Sequence, residues 1–172
     1  HQGIFDISYL TSIPNMTVVA PKNRYEMSRL LEYAVSYEKP IAIKYPRGAA
    51  WYELKEYQEP VVYGKSEVIY SHDTVAVIAV GKMMEEAYKA YESLKEKGIF
   101  VTLINARFVK PIDKKLIKAL SKKHDLIITI EDNVLSGGYG QAVNQYVMSE
   151  ELPIMVKNMA INDCYVPHGT VE

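Results

Sequence analysis

The feature that most constrains this chain is a recurring strand-then-helix unit. Thr74–Val80 (TVAVIAV) is a near-continuous apolar run rich in Val and Ile. Apolar residues at 83, 84, 87, 90, 91 and 94 then repeat at a helical period, which predicts a helix over 82–97. Gly98 follows where a helix C-terminal cap belongs. Phe100–Ile104 (FVTLI), Leu126–Ile130 (LIITI) and a segment inside Ile154–Ile161 read as further strands. The strand starts at 74, 100, 126 and 154 are spaced by 26, 26 and 28 residues, the scale of a βαβ unit. Between them, Asp113 can cap a helix carrying Leu116, Ile117 and Leu120. A second helix over 138–149 places Ala142, Val143, Tyr146 and Val147 on one side. Strands without polar alternation are covered on both faces, so the expected class is α/β: three layers around a mostly parallel sheet.

The first third forms a separate block. Met16–Ala20 (MTVVA) predicts a short strand closed by Pro21. Asn23 and Glu26 have the spacing of a capping box, and the helix after them offers Met27, Leu30, Leu31, Ala34 and Val35 as a buried side. Pro40 breaks the chain before a strand at Ile41–Tyr45 (IAIKY). From Pro46 to about Ser71 the periodicity is weak, apart from one expected edge strand near Val61–Val68. The expected organisation is therefore the end of one α/β domain at 1–48, a linker at 49–71 and a complete α/β domain at 72–172. A partial sheet in the first block would expose unpaired edges, so fraying or rearrangement is expected there.

Composition excludes several classes. In 172 residues, Lys plus Arg is 20 and Asp plus Glu is 21, a net charge of −1 that argues against general nucleic-acid binding. No apolar run approaches the roughly 18 residues of a membrane span. The single cysteine, Cys164, cannot form an intramolecular disulfide and fits a reducing compartment. The four histidines, His1, His72, His124 and His168, do not pair with Cys or carboxylates at metal-ligand spacing. There is no Gly-x-Ser-x-Gly elbow, Walker loop or Gly-x-Gly-x-x-Gly after a strand. The 14 tyrosines read first as amphipathic packing at a domain boundary, with ligand stacking the alternative. The chain begins at His1 rather than Met, which suggests a processed chain or a piece of a longer one.

Four places could carry chemistry. Tyr45-Pro46-Arg47-Gly48 follows a strand end, where α/β sheets bind ligands. Pro46 and Gly48 would fix the turn, and Arg47 could receive a phosphate through paired hydrogen bonds or serve as a surface cation. Glu131-Asp132-Asn133 precedes Gly137-Gly138-Tyr139-Gly140. The glycine-rich helix start could take an anion, or, more simply, a carboxylate from Glu131 or Asp132, with the glycines allowing close helix-to-sheet approach. Arg107 and Lys110 could hold an anion, or Arg107 could pair with Glu131 or Asp132 on a neighbouring strand end. Finally, Gly3 and Phe5-Asp6 suggest a tight turn into a helix capped by Asp6 or Ser8, with His1 just ahead.

Taken together these blocks resemble one family. His1-Gln2-Gly3-x-Phe5-Asp6, Ile13-Pro14-Asn15-Met16, Ala20-Pro21 and Tyr45-Pro46-Arg47-Gly48 look like the end of a pyrimidine-binding domain. Asn105-x-Arg107-Phe108-Val109-Lys110-Pro111-x-Asp113, Glu131-Asp132-Asn133, Gly137-Gly138-x-Gly140 and Pro167-His168-Gly169 look like a transketolase-type C-terminal domain. The family is that of the 1-deoxy-D-xylulose-5-phosphate synthases, within the transketolase-like thiamine-diphosphate enzymes. The resemblance covers almost the whole chain, in order.

It implies a cytoplasmic homodimeric transferase that uses thiamine diphosphate and Mg²⁺. The family joins pyruvate to glyceraldehyde 3-phosphate with loss of CO₂, making precursors of isoprenoids, thiamine and pyridoxal. It places His1 in the substrate cavity as a catalytic residue and Arg47 on the acceptor phosphate. The family's activating glutamate, metal ligands and diphosphate site match nothing from His1 onward, so no cofactor or metal ligand is expected in this chain. The missing N-terminal part would be its partner, and the chain alone would be inactive, because the cofactor carries the carbanion chemistry. The alternative is a non-catalytic α/β dimerisation or anion-binding module, using the Glu131–Gly140 region.

Overall fold

The computed structural model describes residues 3–167, so His1, His168 and Gly169 lie outside the described residues. Five strands form the main sheet: β3 (Glu67–Tyr70), β4 (Thr74–Ala79), β5 (Thr102–Asn105), β7 (His124–Val134) and β8 (Met155–Ile161). Their order is β3-β5-β4-β7-β8, and every pairing is parallel except that of β3 with β5. The mostly parallel sheet expected from the apolar runs is therefore present, with one antiparallel edge strand. That edge strand lies inside the expected linker and slightly beyond the expected Val61–Val68 segment.

Three helices interleave with these strands: α3 (Met83–Glu96), α4 (Lys114–Leu120) and α5 (Tyr139–Ser149). Alternate residues of β4 serve the two faces. Ala76, Ile78 and Val80 join a core with Ile117, Leu120, Val143 and Val147 from α4 and α5. Val77 and Ala79 join a second core with Met84, Ala87 and Tyr91 from α3. This is the three-layer arrangement. The cap signals act as read: the Asp113 side chain accepts from Leu116 N at 3.0 Å, and Gly98 closes α3 at φ +73°. No helix among the described residues is long and apolar enough to cross a membrane.

The first block contributes α1 (Asp6–Ser12), β1 (Thr17–Val19), α2 (Arg24–Ser36) and β2 (Ile41–Ile43). Its small sheet is completed by β6 (Phe108–Lys110), which comes from the second block and pairs antiparallel with β1, giving the order β2-β1-β6. The expected buried side of α2 is corrected. Leu30 is buried, but Leu31 is 47% and Val35 91% exposed. The expected box is also only half made. Asn23 Oδ1 accepts from Glu26 N, but Glu26 accepts from the Lys22 N–H and turns inward instead of closing on Asn23. The turn into α1 is corrected too: its N-cap is Phe5, without a side-chain cap. Gly3 does turn the chain there, at φ +67°.

Glu26 turns inward to join a buried ionic cluster. Arg107 Nε bonds its Oε1 at 2.7 Å, and Arg107 Nη2 reaches Glu67 Oε1 at 3.2 Å. Lys22 Nζ lies 2.5 Å from Glu67 Oε2 and donates to the Tyr57 carbonyl. Asn105 Nδ2 donates to both Glu26 oxygens. Arg107 also donates from Nη1 to the Pro60 carbonyl and from Nη2 to the Glu59 carbonyl. Two cations thus balance two carboxylates, all four at most 2% exposed. The cluster joins the end of β1, α2, the linker, β3 and the turn after β5. Removing one member leaves an uncompensated charge in the interior. Arg107→Leu is expected to lower stability by about 3 kcal/mol or more in urea denaturation of this chain. An unchanged midpoint would show the cluster to be dispensable.

Candidate functional site

Arg47 sits where the sequence places it, in the loop after β2. Gly48 takes φ +110°, a left-handed conformation that favours glycine. The Arg47 side chain is exposed and lines a groove of about 930 Å³ between the two blocks. Arg24, Trp51 and Tyr52 line the groove on one side, and Lys82, Glu85 and Glu86 at the start of α3 on the other. Arg24 lies over the Tyr52 ring, 4.9 Å from its centroid, so that cation is engaged with an aromatic face. Arg47 is left as a cation facing the cleft.

The tripeptide Glu131-Asp132-Asn133, at the carboxyl end of β7, performs three separate tasks. The Glu131 carboxylate accepts from Tyr139 N at 2.9 Å and Gly140 N at 2.8 Å, capping α5 from within the protein. Self-capping therefore fills the glycine-rich helix start. The glycines are needed for the contact. A Cβ at Gly138 would lie 2.6 Å from Glu131 Oε2, and one at Gly140 would lie 2.5 Å from Thr129 Oγ1. Asp132 bonds Lys44 Nζ at 2.5 Å through one oxygen and Lys82 Nζ at 3.2 Å through the other. Asn133 is fully buried and holds α1: its Oδ1 accepts from Ile7 N and its Nδ2 donates to Ser8 Oγ. Thr11 adds a bond to the Gly137 carbonyl. Helix α1 is thereby fastened beside the same strand end, while His1 lies outside the described residues.

The pairing of Arg107 with Glu131 or Asp132 is corrected. Strand β4 lies between β5 and β7, so these strand ends are not neighbours. Arg107, at φ +54°, turns instead toward Glu26 and Glu67. It is 2% exposed and fully engaged, so it offers no anion site. Lys110 is likewise taken: its Nζ donates to the Thr11 and Ile13 carbonyls at the end of α1, 2.7 Å from each. Sequence reasoning missed Lys22, Glu67, Lys44 and Lys82. Glu67 left one signal, a carboxylate at an inward-facing position of an apolar strand.

A divalent ion on a diphosphate needs convergent oxygen ligands. Among the described residues no three His, Cys, Asp or Glu side chains converge as a metal site. Glu26, Glu67 and Glu131 are each already held by cations or backbone donors. The described residues do not fit that group.

Burial pushes the Glu131 carboxyl up to about 7, against the backbone donors of Tyr139 and Gly140, which favour the ionised form. A carboxyl raised from 4.5 binds more protons in the folded than in the unfolded chain between those values. Its contribution to stability is therefore present below about pH 4.5 and lost as pH rises through about 7. Glu131→Gln is expected to flatten that part of the stability-against-pH curve, read by denaturation at fixed pH values. An unchanged slope would remove Glu131 as its source.

Fold and site define the class. Residues 64–172 match the family model of the transketolase C-terminal domain, and residues 1–51 match that of the transketolase pyrimidine-binding domain. The chain belongs to the transketolase C-terminal domain family. Its curated relatives include the 1-deoxy-D-xylulose-5-phosphate synthases of Clostridium tetani, 44% identical over 100% of this chain, and Lachnoclostridium phytofermentans, 41% identical over 98%. The chain spans only 28% and 27% of the length of those relatives. Among solved structures, one described as a split-gene transketolase, inactive β4 tetramer, superposes with TM-score 0.83 at 27% identity, covering 95% of this chain and 54% of that one. The transketolase of Campylobacter jejuni shares the fold, with TM-score 0.61 at 14% identity, covering 89% of this chain and 23% of that one.

Proposed function

We propose that this chain is the C-terminal portion of a thiamine-diphosphate- and Mg²⁺-dependent 1-deoxy-D-xylulose-5-phosphate synthase. The parent enzyme joins pyruvate to glyceraldehyde 3-phosphate with loss of CO₂, in the supply of isoprenoid, thiamine and pyridoxal precursors. It works as a cytoplasmic homodimer. The observation that carries this reading is identity of 41–44% sustained over 98–100% of the chain. The Arg47 groove supports it chemically. A phosphorylated acceptor needs a fixed cation at its far end, and Arg47 supplies a planar donor pair from a constrained turn. His1 contributes an imidazole to the substrate cavity, hydrogen-bonding substrate hydroxyls or moving a proton.

The 172-residue chain alone is inactive on this reading, because the upstream residues that bind the cofactor are its missing partner. A second reading is favoured by the solved relative described as an inactive β4 tetramer: the chain alone assembles without catalysing. Two experiments test the proposal. The isolated chain, given pyruvate, glyceraldehyde 3-phosphate, thiamine diphosphate and Mg²⁺, is expected to show no turnover, and light scattering reads its assembly. Turnover at the rate of an intact enzyme would overturn inactivity. In the intact enzyme, Arg47→Ala is expected to raise KM for glyceraldehyde 3-phosphate about tenfold or more and leave that for pyruvate nearly unchanged. Equal effects on both would remove Arg47 from the phosphate.

A further inference from the structure

Arg47 is three residues beyond Lys44, and Lys44 is fixed at both ends. Its N–H donates to the Val19 carbonyl at 2.8 Å, the last bond of the small sheet before the loop. Its ammonium group meets Asp132 at 2.5 Å, with both side chains mostly buried. The other Asp132 oxygen meets Lys82, half exposed at the start of α3, where Lys82 lines the groove together with Arg47. Tyr45, Pro46, Lys82 and Asp132 also line a small cleft together. One carboxylate therefore holds two cations from two different blocks. It is the charged link between the loop that presents Arg47 and the opposite wall of the groove. Two ammonium groups brought onto one carboxylate repel each other once its charge is removed.

We propose that Asp132 is a positioning residue for the Arg47 phosphate site, acting through Lys44 and Lys82 to set the distance of the Arg47 loop from α3. The inference rests on the phosphate reading of Arg47. Asp132 touches no substrate. It fixes where the guanidinium is presented, so its loss weakens recognition of the phosphate and spares the later steps.

The test uses the intact enzyme and two readouts. Asp132→Asn is expected to raise KM for glyceraldehyde 3-phosphate about fivefold or more, as for loss of both of its ion pairs, with kcat near wild type. With unphosphorylated glyceraldehyde the difference is expected to vanish. Asp132→Glu, which keeps the charge, restores most of the affinity. On an Arg47→Ala background, Asp132→Asn adds nothing further, whereas additive effects would overturn the proposal. Independently of activity, Asp132→Asn is expected to speed amide hydrogen exchange of residues 44–50. Unchanged exchange there overturns the clamp even if Arg47 binds phosphate. Arg47→Ala alone failing to discriminate the two aldehydes overturns the phosphate reading instead, so the two failures are separable.

Discussion

The structure depends on the buried balance of Lys22 and Arg107 against Glu26 and Glu67. Taking four charges out of water is costly, and their mutual attraction offsets that cost only when every donor and acceptor is used. Here they are used. Asn105 fills the space between the carboxylates, the linker supplies the carbonyls of Tyr57, Glu59 and Pro60, and no buried side-chain nitrogen or oxygen among the described residues lacks a partner. An apolar contact of the same area would tolerate sliding. A network with fixed donor geometry does not, so it sets how α2, the linker and β3 meet the sheet.

A second device works at the same, carboxyl end of the main sheet, on the other side of β4. Strand β7 continues past the end of β4, and its last residues reach four different elements. Glu131 reaches α5, Asp132 reaches the β2 end and α3, and Asn133 reaches α1. Alternation along a strand sends successive side chains to opposite faces, so Asp132 is directed away from Glu131 and Asn133. The groove walls are therefore positioned by one short segment that contributes no residue to the groove itself.

Much of the architecture was legible from the chain. Continuous apolar runs at regular spacing specify buried parallel strands, and Asp113 and Gly98 punctuate helices by local chemistry that needs no tertiary information. Two things were not legible. The side that α2 buries follows from Glu26, a residue that local patterning assigns to a cap, because a distant arginine recruits it inward. The partner of Arg107 follows from strand order, and order is a property of the whole sheet. The position of Arg47 in the loop after β2 could be read because Pro46 and Gly48 mark the turn. Asp132 could not, since its two lysines lie 88 and 50 positions away in sequence.

The first block shows what such long-range bonds achieve. Its own apolar core is small: Val19 and Leu30 are its fully buried members, and the third, Phe108, comes from the second block. Three apolar side chains at roughly 1.5–3 kcal/mol each are too few to hold two strands and two helices against their conformational entropy. Yet β1, α2 and β2 are formed, where fraying was expected. The difference is made from outside the block, by Ile7, Val18 and Ala20 packing into the core of the second block, by pairing with β6, by the ionic cluster under α2 and by the Asn133 anchor on α1. The Arg47 loop is therefore only as ordered as its attachments to the second domain. The proposed phosphate site lies on this weakly cored block, and Asp132 is a charged attachment that reaches its loop through Lys44.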